Sequence, residues 1–363
     1  MELRFNRIAI KVGSNVLTNK DGSVDDGRIA HIVDQIAALR NNGVEVVLIS
    51  SGAVAYGRSE ITLPPHLDSV SSRQILSAVG QAKLINRYYE LFKQHGIFCG
   101  QVLTMKENFR NRQQYLNQKN CMSAMLQQGV IPIVNENDTT SLTELMFTDN
   151  DELSGLIATM MDMDALIILS NIDGIYNGDP SDPESSVIRE VLPEKSLSQY
   201  IQASKSSFGR GGMRTKCNIA RKVAAEGIAV IIANGKKDGI ISSLMQKGND
   251  VMSTVFKPSE RVSSVKKWIA HSEGFSKGEV HVNAGAEEAL AGGKASSLLF
   301  VGIDSIKGEF KKGDIVKIFG PEGNELGVGR VQYGSDKAKT LVGKKGVKPF
   351  IHCDYLLPVT NKD

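Results

Sequence analysis

Arg7 to Asn15 reads RIAIKVGSN, and Val44 to Ala53 reads VEVVLISSGA. Each is a short apolar, β-branched run that ends abruptly in glycine and small polar residues. A run that is apolar at nearly every position, rather than at alternate ones, is a strand covered on both faces. Between the two, Ile29, Ile32, Val33, Ile36 and Leu39 recur at helical spacing, and Asn42-Gly43 ends that helix before the next strand. The stretch is one βαβ unit. It sets the class as α/β, a mostly parallel sheet sandwiched by helices.

The same alternation continues to about residue 257. Strands are predicted over 7–12, 44–49, 97–103, 130–134, 165–169 and 228–233, and helices over 72–94, 113–128, 153–161 and 215–226. Composition then changes. Residues 258–271 read as a linker with a short helix around Trp268, and from Gly278 short strands alternate with glycine turns at Gly308, Gly320 and Gly327. Turns at that spacing indicate a small β-rich second domain, a barrel or sandwich, beginning near residue 275. A chain of 363 residues has room for both.

Composition bounds the function. No run resembles a signal peptide or a membrane span, so a soluble protein of the cytoplasm is expected. Cys99, Cys121, Cys217 and Cys353 are scattered with no C-x-x-C pair, which argues against a disulfide framework or a structural zinc site and for reduced thiols, mostly in the core. A net charge of +3 is too small to imply a nucleic-acid partner for the whole chain. Neither a P-loop nor a Rossmann fingerprint is present, which removes two common nucleotide-binding classes.

What remains is a set of loops at strand ends, where α/β sheets bind ligands. Lys11-Val12-Gly13-Ser14-Asn15, Ser50-Ser51-Gly52-Ala53 and the glycine-rich Gly209 to Lys216 can each present backbone N–H groups to an anion. Lys11 ends a strand whose other residues read as buried, and Lys216 opens a helix. Two cations so placed suit a doubly anionic ligand. A denser polar constellation, Asn135-Glu136-Asn137-Asp138, follows the strand predicted over 130–134, and Asp149-Asn150-Asp151-Glu152 follows a dozen residues later. Such groups could be solvated turns, but at the end of a buried strand they can also bind an ammonium and a carboxylate.

Taken in order, KVGSNVLT, LISSGAVAYGR, VIPIVNENDT, FTDNDELS and GRGGMRTK resemble the amino-acid kinase family, and within it the branch that phosphorylates glutamate in proline biosynthesis. The likeness runs over residues 1–257, with 258–274 as linker, and residues 275–363 resemble a PUA domain. It implies an ATP-dependent transfer to the glutamate γ-carboxylate, with Mg²⁺ carried largely by phosphate and water. By the resemblance, Lys11 and Lys216 contact the phosphates and the transferring group, and Asp151 orients both lysines. ATP would be lined by Lys11, Gly13, Ser170, Asn171, Arg210, Gly211, Gly212, Met213, Arg214, Thr215 and Lys216. Glutamate would be bound by Ser51, Gly52, Asp138, Asp149 and Asn150. No protein side chain is expected to hold the metal. One position departs from the pattern: relatives often carry Thr-Asp where this chain has Ser170-Asn171.

The resemblance further implies a homo-oligomer, a dimer or tetramer, feedback inhibition by proline, and coupling to a γ-glutamyl phosphate reductase. Lys307, Lys311, Lys312, Lys317, Lys337, Lys339, Lys344, Lys345 and Lys348 make the tail basic. A solvated surface accounts for them better than RNA binding does, because Phe300, Phe310, Phe319, Tyr333, Phe350 and Tyr355 read as strand core rather than as base platforms. Two other readings stay open from the sequence: a kinase of another acidic group, and a regulator built on the same fold.

Overall fold

Strand formation at Arg7–Val12 (β1) follows from its residues: five of the six are buried, on both faces of the sheet. β1 pairs in parallel with Glu45–Ser50 (β2) on one side. The sheet continues through Cys99–Thr104 (β3) and Ile131–Glu136 (β4) on that side. On the other side lie Ala165–Ser170 (β5), Glu190–Val191 (β6), Ala229–Asn234 (β7) and Ser253–Phe256 (β8). The order is β3-β4-β2-β1-β5-β7-β8-β6, parallel except for the β7/β8 pair. The computed structural model describes residues 3–110, 112–140, 150–180, 182–193, 213–259, 276–291 and 296–358.

Chain order places the ligand edge. From β1 the chain leaves toward β2, and from β5, its neighbour, it leaves the other way, toward β6 at the far edge. Connections that depart in opposite directions open a crevice at the carboxyl ends of the adjacent strands. Lys11 lies in that crevice, in register with Ile49 of β2 and Ile168 of β5.

Helices cover both faces as expected, with ends set by caps. Asp25 accepts from the Arg28 N–H at the start of Asp26–Asn41, which buries Ile29, Ile32, Val33, Ile36 and Leu39 and stops at Gly43, φ 83°. Asp68 caps Ser69–Gln94 through the N–H groups of Val70 and Ser71, three residues before the predicted start. The helix Ala53–Glu60 packs on it without spacing. A Cβ on Gly80 would stand 1.8 Å from the Ala53 carbonyl oxygen, and one on Gly57 would stand 2.0 Å from that of Leu76.

Several sequence expectations need correction. β4 runs on through Glu136, so Asn135 and Glu136 belong to the strand and are buried, as is Asp138. β6 and β8 were not foreseen, being two and four residues long at the far edge of the sheet. Of the cysteines, only Cys217 is buried and Cys121 is exposed, so the thiols are not mostly core; all four are free. The linker helix expected around Trp268 lies outside the described residues. Among those described, no helix is long and apolar enough to cross a membrane.

The chain divides into two compact units, one of Met1–Asn108 with Gln113–Arg261, the other of Phe109–Arg112 with Val262–Asp363. The second carries a five-stranded sheet of Gly278–Val282 (β9), Ile303–Gly308 (β10), Ile315–Phe319 (β11), Glu325–Arg330 (β12) and Leu356–Pro358 (β13), in the order β10-β9-β11-β12-β13. Its core holds Phe300, Phe310 and Phe350, none of them on a strand. Of the six aromatics read as strand core only Phe319 lies on one, and it stacks on His281. The tail lysines are exposed, apart from Lys317, half-buried and paired with Glu325 at 2.8 Å.

Candidate active site

Three elements deliver one buried ionic cluster. β1 supplies Lys11, the first turn of Asn150–Met160 supplies Asp151, and the first turn of Met213–Ala225 supplies Lys216. Lys11 Nζ stands 2.6 Å from Asp151 Oδ1 and Lys216 Nζ 2.8 Å from Oδ2. Their side chains are 7%, 14% and, for Asp151, 1% exposed, so water screens the cluster poorly. Burial pushes the Asp151 carboxyl upward, but the two ammonium groups outweigh it and hold the group below the usual aspartate range. Two cations share one anion between two helix N-termini, whose dipoles add to the positive field. The surplus charge suits phosphoryl oxygens.

Gly13 closes over this cluster. Its N–H donates to the Leu169 carbonyl at 3.2 Å, and a Cβ there would lie 3.3 Å from that oxygen and 3.4 Å from Lys11 Nζ. Its φ is −74°, so the site uses its small size rather than its conformational freedom. Gly52 is the reverse case, left-handed at φ 106°.

Beside the lysines lies an amide and hydroxyl network. Asn150 Nδ2 donates to Ser51 Oγ at 2.9 Å and to Asn135 Oδ1 at 3.0 Å, joining the ends of β2, β4 and the helix Asn150–Met160. Asn135 Nδ2 donates in turn to Gln81 Oε1 at 2.8 Å. Further along, Arg73 binds Asp138 Oδ1 through Nε at 3.0 Å and Nη2 at 2.7 Å, and Ser77 Oγ donates to Oδ2 at 3.0 Å. Glu136 Oε2 is 3.4 Å from Arg73 Nη2. A fork of this kind fixes a carboxylate in place.

Toward the other strands, Ser170 is buried at the end of β5 and its hydroxyl donates to Asn171 Oδ1 at 3.4 Å, with Asn171 exposed. Met213, Arg214 and Thr215 lie with Lys216 in one helical turn, Arg214 exposed. Asp149, Arg210, Gly211 and Gly212 lie outside the described residues.

Sequence reading missed Arg73, Ser77 and Gln81. They stand four residues apart on Ser69–Gln94, and Ser77 and Gln81 are buried. A polar stripe at i, i+4 and i+8 on a helix packed against the sheet was the available signal. Asp173 was missed as well. Burial pushes its carboxyl upward, but Lys237 at 2.8 Å and Asn234 at 3.0 Å outweigh burial and hold it low.

Comparison with known proteins places both units in families. Residues 6–234 match the model of the amino acid kinase family, and residues 278–350 match that of the PUA domain. The chain is 66% identical to a glutamate 5-kinase from Bacteroides thetaiotaomicron over 357 residues, covering 98% of this chain and 99% of that one. It is 49% identical to a glutamate 5-kinase from Chlorobaculum tepidum, covering 97% of each. In structure it resembles a carbamate kinase from Giardia lamblia bound to AMP-PNP, with a TM-score of 0.51 at 15% identity over 70% of this chain and 99% of that one. That last likeness is one of fold.

Proposed function

The chain belongs to the amino acid kinase family, and from that premise we propose that it transfers the γ-phosphoryl group of ATP to the side-chain carboxylate of L-glutamate, the reaction of a glutamate 5-kinase. The observation that carries the mechanism is the pairing of Lys11 and Lys216 on buried Asp151. In the reaction a glutamate γ-oxygen forms a bond to phosphorus, the bond to the β-phosphate bridging oxygen breaks, and ADP leaves. The nucleophile needs no general base, since a glutamate carboxyl ionises near pH ~4.3. Catalysis is therefore positioning and charge neutralisation. Lys11 and Lys216 face the transferring group, and Asp151 holds them at a fixed separation.

Ser51, Asn150 and Asp138, with Asn135 between them, bind glutamate at the ends of β2 and β4. Gly13, Ser170, Asn171 and the turn Met213 to Lys216 face the nucleotide. Mg²⁺ supplies charge neutralisation on the phosphates. Both Asp151 oxygens are taken by ammonium groups, so the cluster fits an ion carried by phosphate and water rather than by this carboxylate. Proline competes with glutamate on the same reading, because it presents the same α-carboxylate and a cationic amine. The acyl phosphate product is reactive and calls for prompt reduction by a partner enzyme.

The test offers glutamate, aspartate and N-acetylglutamate in turn with ATP and Mg²⁺, and traps acyl phosphate with hydroxylamine. Hydroxamate from free glutamate alone is expected. Product from another acid alone would reassign the substrate, and no product from any would refute the kinase reading.

A further inference from the structure

Within the second unit, one group among the described residues brings three metal-ligating side chains together: His352, Cys353 and Asp354. His352 Nδ1 lies 3.6 Å from Cys353 Sγ and 3.3 Å from Asp354 Oδ2, and Sγ lies 3.9 Å from Asp354 Oδ1. A tetrahedral zinc-type ion, with bonds of about 2.3 Å to sulfur and ~2.0 Å to nitrogen and oxygen, sets sulfur about 3.5 Å from either donor and nitrogen about 3.3 Å from oxygen. Sulfur to nitrogen and nitrogen to Oδ2 stand close to those separations; the sulfur contact is to the other oxygen, Oδ1, so rotation of the exposed Asp354 carboxylate has to bring one oxygen to both.

The Asp354 N–H donates to His352 Nδ1 at 3.3 Å, a long contact that an ion at the same lone pair would replace. The supporting backbone is held on both sides. The Cys353 N–H donates to Ser297 Oγ at 2.9 Å, the Leu298 N–H to the Ile351 carbonyl at 2.8 Å, and the Tyr355 N–H to the His352 carbonyl at 2.8 Å. Little order has to be gained when an ion arrives.

We infer that His352, Cys353 and Asp354 form a binding site for a borderline divalent ion of the Zn²⁺ class, with the fourth position taken by water. One nitrogen, one sulfur and one oxygen donor select against Mg²⁺ and Ca²⁺, which take oxygen. Binding forms one bond to each donor, releases the Cys353 thiol proton to solvent and transfers no electrons. Three consecutive ligands have none of the spacing by which zinc sites are sought in sequence.

Co²⁺ titrated into the metal-stripped full chain reads the site through sulfur-to-cobalt charge transfer in the near ultraviolet. The expected band saturates at one equivalent, is displaced by Zn²⁺ and is lost in Cys353→Ser. It weakens by at least ~10-fold in affinity in His352→Ala and Asp354→Asn, and it persists in Cys121→Ser, which removes the exposed thiol of the other unit. On the unaltered chain, one equivalent of Zn²⁺ should slow alkylation of Cys353 but not of Cys121, read by peptide mass spectrometry. No saturable band, a band that survives Cys353→Ser, or equal alkylation of Cys353 with and without Zn²⁺ would overturn the assignment.

Discussion

Lys11 and Lys216, from opposite ends of the first unit's sequence, meet on the two oxygens of one carboxylate, that of Asp151, at 2.6 and 2.8 Å. That anion offsets the cost of holding both lysines inside a low-dielectric site, where an unpaired ammonium loses its proton or unfolds its surroundings. The anion takes up one positive charge and leaves the other for substrate. The three residues act as a unit, and their substitutions should differ in kind.

Lys216→Ala leaves Asp151 paired with Lys11, so the fold persists and the loss falls on chemistry. Turnover should drop by about 10² or more, as for removal of a donor to developing charge, while KM for glutamate moves by a few-fold. A coupled ADP assay checks it. A variant with near-normal turnover would remove Lys216 from the transfer step.

Asp151→Asn takes away the anion shared by two ammonium groups that are 7% and 14% exposed. Stability should fall by about 3–5 kcal/mol, the cost of breaking a buried pair from one side. Urea unfolding measures this, and activity should fall with it because the lysines repel one another. A variant as stable as the parent would show that the cluster relaxes into water.

Acid should expose the same linkage. The folded carboxyl of Asp151 titrates below the ordinary aspartate value of 3.8: burial alone would raise it, and Lys11 and Lys216 more than reverse that. A depressed folded value means that the stabilisation is present above the unfolded value and is lost as pH falls through the folded one. The stability gap between parent and Asp151→Asn should therefore be full at neutral pH and shrink below about pH 4. Unfolding free energies of both proteins at several pH values test this, and a constant gap would argue against it.

The strands β1, β2, β4, β5 and β7 were legible in the sequence because they are buried on both faces. Each is an apolar run with a sharp polar end, and β1 begins and ends where RIAIKV does. Lys11 stood out for the same reason, as a charge within such a run. The polar ends were harder. Asn135 and Glu136 read as turn residues by type, yet pairing with Leu103 and Thr104 keeps them in the strand. Tertiary context there overrode local preference. Arg73 escaped notice because its partner Asp138 is 65 residues away, and the local signal was no more than its place in the polar stripe with Ser77 and Gln81.

That arginine carries its own prediction. Arg73→Gln removes the fork on Asp138 Oδ1 and leaves Asp138 and Glu136, both buried, without their shared cation. Losing a charge-assisted hydrogen bond is worth about 1.5–3 kcal/mol. On the proposed assignment of Asp138 to glutamate, the loss should appear as a KM for glutamate raised by roughly 10-fold or more, with kcat less affected. Arg73→Lys should rescue only part of it, since an ammonium cannot reproduce the fork. Steady-state kinetics with glutamate varied at saturating ATP decides, and an effect confined to kcat or to KM for ATP would misplace Arg73.

Distance from the chemistry does not make a residue neutral, and Gly80 is the clearest case. It lies mid-helix in Ser69–Gln94, where alanine is ordinarily the better helix former by about 1 kcal/mol. On propensity alone Gly80→Ala should stabilise. The added Cβ, however, would stand 1.8 Å from the Ala53 carbonyl oxygen and 2.4 Å from the Gly57 nitrogen, backbone atoms that cannot swing away as a side-chain end can. Packing therefore wins over propensity. The helix Ala53–Glu60 must be pushed off, at a cost of about 1–3 kcal/mol or more. Ala53 directly follows Ser51 and Gly52, so the displacement reaches the network that Asn150 closes onto Ser51 Oγ. Urea unfolding should show the loss of stability, and kcat/KM for glutamate should fall more than that for ATP. A stabilised Gly80→Ala with unchanged kinetics would mean that the two helices are free to part.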